Sequence, residues 1–408
     1  MYRFALITFG IFFFVFGFVT WLNSVLIPYL KMVCELPTNW QAYLVTFAFY
    51  ISYFVMALPS AWFLEKVGFQ KGMAWGLVVM ALGSIIFIPA AENRTYEVFL
   101  IGLFTQGTGL AILQTAVNPY VAILGKPESA AQRISIMGIA NKTAGIISPI
   151  VLGFIVFKDA ETIENQLAVA TELQKNEILT DLASKVIEPY SIMALVLIIL
   201  AVIIRFISLP NVEPTLQESS EPKSLWQYPQ LVLGVIALFL YVGVEVIAGD
   251  TIIQYGVTWG FSKQEAKFFT SFTLVGMLVG YVIAIFTIPR FLSQAKVLTI
   301  SAILGVIFSL LILVTEKFVS VMSVALLGLA NSVMWPAIFP LAIADLGKNT
   351  PKGSALLIMA IAGGALMPLL YGFLADSLKN ERLAYSLLIP AYLFIAYYGA
   401  KGYKKRTW

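Results

Sequence analysis

The stretch YVGVEVIAGDTIIQYG, residues 241–256, carries two carboxylates, Glu245 and Asp250, inside a long apolar run. A charge at the centre of a bilayer costs roughly 2.5–3.5 kcal/mol on insertion scales, so an acid kept there has work to do. A desolvated carboxylate takes up a proton readily, and with further oxygen ligands it holds a hard cation such as Na+. The five-residue spacing sets the two acids about 140° and about 7.5 Å apart on an ideal helix, so they share a site only if the helix bends between them. Lys142 is the basic counterpart, nine residues after Arg133 and therefore about 13 Å into its helix. Either it snorkels back to the interface, or it pairs with one of the acids, or it donates to a substrate. Amides within apolar runs complete the set: Asn23, Gln114, Asn118, Asn141, Gln254 and Asn331, with Trp21 and Trp335 close to two of them in sequence. Such amides either join helices, at about 0.6–2 kcal/mol each, or face a polar ligand.

Two shortages exclude other chemistry. The chain has no histidine, which removes Ser-His-Asp triads and His-ligated metals, and the single Cys34 leaves no disulfide or multi-cysteine metal site. Neither a cofactor nor a structural metal is expected, and nothing points to an enzyme or to a nucleic-acid partner.

The elements that must position these residues follow from composition. Of 408 residues 60% are hydrophobic and 12% charged, against about 25% charged in soluble domains. Apolar runs of about 20 residues, each long enough to cross the hydrocarbon core, recur along the chain. Twelve are predicted, at 4–30, 41–63, 73–91, 98–124, 133–156, 188–208, 229–255, 266–289, 297–314, 320–344, 354–375 and 383–400. The fold class is an all-α membrane protein, and the first run reads as a retained helix because no small-residue cleavage site follows it. With the N-terminus inside, fifteen Lys and Arg fall in inner segments and ten in outer ones, which places both termini in the cytoplasm. With Glu188, at the border of the sixth run, counted as outer, Glu245 and Asp250 are the two acids left within spans.

The polar stretch 209–228 lies midway and reads as a cytoplasmic linker between two six-helix halves, 1–208 and 229–408. Internal similarity supports the division. GIISPIVLGFI (145–155) matches GALMPLLYGFL (364–374), and LGKPESAAQR (124–133) parallels LGKNTPKGSA (346–355). Parallel six-helix repeats are the mark of an alternating-access transporter with its site between the halves.

With these features the phrases WLNSVLIPYL, QTAVNPYVAILG and ANKTAGIISP resemble the major facilitator superfamily, and within it the fucose permease and bacterial glucose/galactose transporter branch. The resemblance runs over essentially the whole chain. It implies a multi-pass inner-membrane carrier, working as a monomer in the lipid bilayer, that imports a monosaccharide with H+ or Na+. The alternatives are an uncoupled uniporter and, with little support, an intramembrane enzyme. A sugar needs amide and acid groups for its hydroxyls and an aromatic platform for its ring face. The expected substrate residues are therefore Asn23, Gln114, Asn118, Asn141, Glu245, Gln254, Asn331 and Trp335, with Asn141 matching a sugar-contacting Asn of the family. In the fucose permease, carboxylates stand where this chain has Ser24 and Gln114, so those proton-carrier roles do not transfer. Aligning the first span on the seventh through Gly17/Gly243 and Tyr29/Tyr255 sets Ser24 opposite Asp250. Asp250 is thus the expected coupling acid for H+ or Na+, with Ala248 and Gly249 freeing backbone carbonyls as further ligands, and Glu245 is a second coupling or substrate group. The turn LEKVGFQKG (64–72) sits where the superfamily keeps a gating motif, so closing contacts are expected there.

Overall fold

In hydrocarbon every backbone N–H and C=O must find its partner within the protein, and for these apolar runs the helix does that locally. The computed structural model describes residues 2–123, 130–158, 160–207, 224–288, 290–346 and 349–408, and contains no strand among them. Seven spans are single helices: span 2 (Leu44–Val67), span 3 (Phe69–Glu92), span 4 (Tyr96–Ile123), span 5 (Ala130–Val156), span 6 (Ile187–Phe206), span 8 (Phe269–Thr287) and span 9 (Gln294–Val314). The other five are interrupted. Span 1 is Tyr2–Trp21 then Asn23–Val33, span 7 is Pro229–Asp250 then Ile252–Thr258, and span 10 is Lys317–Asn331 then Met334–Ile343. Span 11 runs as Thr350–Met359, a 3-10 turn and Gly363–Leu378, and span 12 as Glu381–Ala384, a 3-10 turn and Leu388–Ala400. All twelve expected spans are present. Large apolar side chains such as Phe206, Phe286 and Val314 point outward, where lipid takes the place of a core.

Most of the expected linker, residues 209–223, lies outside the described residues, as does most of the 124–133 loop. The 157–187 connection between spans 5 and 6 holds two helices, Ala160–Val169 and Glu172–Ser184. Thr171 and Gln174 cap the second reciprocally, and Tyr29 donates its hydroxyl to the Leu182 carbonyl at 2.8 Å, which fastens that helix over the end of span 1.

The two sets of six spans meet along span 2 against span 11 and span 5 against span 8. Here the internal repeat has its physical reason. A Cβ on Gly153 of span 5 would lie 2.9 Å from Lys267, and one on Gly372 of span 11 would lie 2.3 Å from Tyr43. Each repeated glycine therefore lets one set approach the other. At the face opposite the termini, called distal below, Asp376 accepts the backbone N–H groups of Asn39 (3.0 Å) and Trp40 (2.9 Å). Gln264 donates there to the carbonyls of Phe157 and Lys158. Gly68 adopts φ +81°, and Gln70 donates to the Ile204 carbonyl at 2.8 Å. That contact ties span 3 to span 6 of the same set, and the Glu65 side chain of the 64–72 turn lies outside the described residues.

Candidate functional site

Span 7 is the centre of the site, because residues 245–250 are touched from three spans of the other half. Lys142 on span 5 lies twelve residues beyond Ala130, about 18 Å along the helix and hence near mid-depth. Its Nζ reaches Glu245 Oε1 at 2.7 Å, with side-chain exposures of 10% and 12%. The same ammonium stands 4.6 Å from the centroid of the Trp21 ring, a cation–π geometry that shields it further from lipid. A pair this enclosed offsets two desolvation costs that neither charge could bear alone.

Trp21 ends the first helix of span 1, and its indole is clasped between two glycines. A Cβ on Gly145 of span 5 would lie 2.4 Å from the ring, and one on Gly249 of span 7 would lie 2.1 Å from it. Gly249 thus serves ring packing. The expectation of free carbonyl ligands beside Asp250 is not met: Thr270 donates to the Gly249 carbonyl at 2.7 Å and Thr273 to that of Ala248 at 3.4 Å. Span 8 has brought its own hydroxyls to the break in span 7.

Asp250 is fully buried. Its Oδ2 accepts from the Thr46 hydroxyl of span 2 at 3.2 Å, while Oδ1 has no partner in the protein. It is the last residue of its helix segment and eight residues before Thr258, so about 12 Å of helix separates it from the distal end of span 7. Glu245 is held by a cation, whereas Asp250 keeps one bare oxygen.

The amides fall into groups. Asn141 donates to the Phe13 carbonyl at 3.2 Å, and Gln114 donates to the Tyr53 hydroxyl at 3.0 Å. Asn331, at the break in span 10, accepts from Tyr392 at 2.9 Å and leaves its Nδ2 buried and unpartnered. Asn23 is buried with neither amide atom bonded in the protein. Trp335 is half-buried and stacks on Phe339 with centroids 5.9 Å apart. The Asn118 side chain lies outside the described residues. Gln254 is not brought to mid-depth: one helical turn past Asp250, it lines a distal cleft of about 410 Å³ with Lys31 and Glu35. Thr46, Tyr53 and Tyr392 were missed in the sequence, because hydroxyls in apolar helices carry no spacing signal. Near the Gln254 cleft, outside the spans, the Glu35 carboxyl is held below its ordinary range by hydrogen bonding to Lys175 and Arg94.

The fold and this buried polar centre define a two-part helical carrier, and the comparisons agree. The Major Facilitator Superfamily model matches residues 7–360, and the chain belongs to that superfamily. It is 37% identical over 409 residues to the glucose/galactose transporter of Brucella abortus biovar 1 (strain 9-941), covering 99% of this chain and 95% of that protein. Against the L-fucose-proton symporter of Escherichia coli (strain K12) identity is 28% over 418 residues, covering 97% and 92%. The crystal structure of the E. coli fucose:proton symporter superposes with a TM-score of 0.73 at 26% identity, covering 98% of each chain.

Proposed function

We propose that this chain is a secondary transporter that imports a monosaccharide together with a proton, with Asp250 as the coupling acid. The observation that carries the reading is a buried carboxylate with one free oxygen, hydrogen-bonded across the halves to Thr46. The named activities of the relatives, glucose/galactose transport and L-fucose–proton symport, support a hexose or 6-deoxyhexose as substrate. A Na+ at Asp250 is the second reading. It is less favoured because a hard cation needs about six oxygen ligands, and the nearby carbonyls already accept threonine hydroxyls.

In this account both termini are cytoplasmic, in the inner membrane, and a monomer rocks residues 1–208 against 229–408 about the 209–228 linker. Asn23, Asn141, Asn331 and Gln114 hold sugar hydroxyls, with Trp335 as the ring platform. Their unmatched atoms at Asn23 and Asn331 are where a hydroxyl gains most, since a buried amide atom left unpaired costs about 1–3 kcal/mol. Glu245 stays paired with Lys142 and fixes span 7 against span 5. Asp250 is neutralised by a proton before the loaded carrier reorients, so the moving halves never drag a bare charge through a closed interface. Covalent bonds in the sugar are untouched throughout.

Substituting Asp250→Asn tests the assignment. The variant should lose gradient-driven accumulation in proteoliposomes while keeping sugar-for-sugar exchange, which needs only reorientation of the loaded form. Accumulation by Asp250→Asn against a gradient would remove Asp250 as the coupling acid and favour a uniporter or a mechanism centred on Glu245.

A further inference from the structure

At the distal face two helix ends find their hydrogen-bond partners on the opposite set of spans. The short helix Asn39–Ala42, between spans 1 and 2, has no side-chain cap of its own, and the Thr38 hydroxyl donates to Gln41 Oε1 at 2.7 Å. Its first two N–H groups, orphans at any helix start, go to Asp376 of span 11, one to each carboxylate oxygen. Span 5 ends at Val156, and the carbonyls of Phe157 and Lys158 beyond it accept from the amide of Gln264, which precedes span 8. Gln264 is itself held, because its Oε1 accepts from Lys267 Nζ at 2.6 Å. Lys267 is 3% exposed, and its ammonium stands 3.5 Å from the centroid of the Phe154 ring, near the end of span 5 that favours a positive charge.

The two contacts are counterparts in the internal repeat. The alignment of 145–155 on 364–374 sets Phe157 opposite Asp376, and that of span 1 on span 7 sets Thr38 opposite Gln264. Gly153 and Gly372 each precede their contact by about one helical turn and let the backbones close up. A Cβ on Gly372 would lie 2.9 Å from the Trp40 Cα. The polarity is reversed between the two: a carboxylate accepts from a helix start at one, and an amide donates to a helix end at the other. A helix end capped from within its own set keeps its partner when the sets separate, whereas these two lose theirs. We propose that Asp376 and Gln264 are paired latches that hold the distal face closed and set the balance between its closed and open forms. The proposal rests on the reading that the two sets rock against each other.

Opening the face returns the Asn39 and Trp40 N–H groups and the carbonyls at 157 and 158 to water. Each latch therefore contributes only the difference between protein and water hydrogen bonds, which keeps it breakable in every cycle. Asp376 brings its charge to both of its bonds, and charge-assisted bonds are about twice as strong as neutral ones. The Asp376 latch is the stronger of the two.

The test measures distances between paired spin labels in the full chain, reconstituted in liposomes. Cys34 is the single cysteine, so Cys34→Ser supplies a background free of other thiols. Labels at Glu177→Cys and Glu316→Cys report the separation of the two sets across the distal face, and labels at Lys71→Cys and Lys401→Cys report it at the face of the termini; all four positions are exposed. The ratio of wide to narrow distal separations should rise about fivefold in Gln264→Ala and about tenfold or more in Asp376→Ala, with no widening at the face of the termini. Asp376→Asn, which keeps the volume and one acceptor oxygen, should shift the ratio the same way by less. Wild type with D-glucose, D-galactose or L-fucose is measured alongside. A wild-type distal separation that changes with a sugar, while no latch variant shifts it, would overturn the latches alone. Widening at both faces in Asp376→Ala and Gln264→Ala would assign the contacts to general stability and overturn the latches equally. A single distal separation in wild type with every sugar, and in every variant, would remove the rocking of the two sets, and the latches with it.

Discussion

Replacing Lys142 by methionine keeps most of the side-chain volume and removes the charge that Glu245 depends on. The pair is 2.7 Å long with both side chains about nine-tenths enclosed, so screening by water is slight. Removing one member of such a buried pair costs about 3–5 kcal/mol, because the remaining charge is left uncompensated. The cation–π contact with Trp21 adds about 0.5–2 kcal/mol to the loss. The Glu245 carboxylate must then bind a proton or draw in water, and span 7 loses its fastening to span 5. Thermal unfolding of purified Lys142→Met should therefore show a clear drop in midpoint, and transport should fall with it. The double variant Lys142→Met with Glu245→Gln should regain most of the stability, since two neutral groups leave no orphan charge. A Lys142→Met protein with wild-type stability and unaltered cation dependence would refute the reasoning. So would a double variant no better than the single one, which would place the cost in packing.

Two further outcomes follow from the same geometry. Gly249→Ala puts a methyl group 2.1 Å from the Trp21 ring, so the indole must leave its clasp; a shift in tryptophan emission with loss of transport is expected, and unchanged emission would contradict the packing. Asn141→Ala and Gln114→Ala should each weaken sugar binding measured by calorimetry by up to roughly a hundredfold, the equivalent of about 1–3 kcal/mol, whereas unchanged affinity for every hexose tried would move the site elsewhere.

The spans were readable because apolar length is a one-dimensional signal, and the isolated charges Lys142, Glu245 and Asp250 stood out against it. Which acid takes the lysine was not readable. Glu245 and Asp250 lie on opposite sides of their helix, and only the placement of span 5 against span 7 brings Lys142 to Glu245. Gly249 illustrates the same limit, since a glycine before an acid reads as backbone freedom until Trp21 is seen against it. Gln254 looked equivalent to the other amides, yet its position beyond the break in span 7 sends it to the distal cleft. Thr46, Tyr53 and Tyr392 were invisible for another reason. Tyrosine is a common residue here, 18 in all, and what distinguishes these is burial of the hydroxyl, a property of the packed helices.

The central claim is that sugar moves with a proton through a buried carboxylate. Radiolabelled hexose uptake into proteoliposomes, with H+ and Na+ gradients imposed separately, tests it most directly. The account predicts accumulation driven by an inward proton gradient, abolished by a protonophore and indifferent to Na+. Accumulation driven by Na+ alone, or equilibration with no accumulation under either gradient, would contradict it.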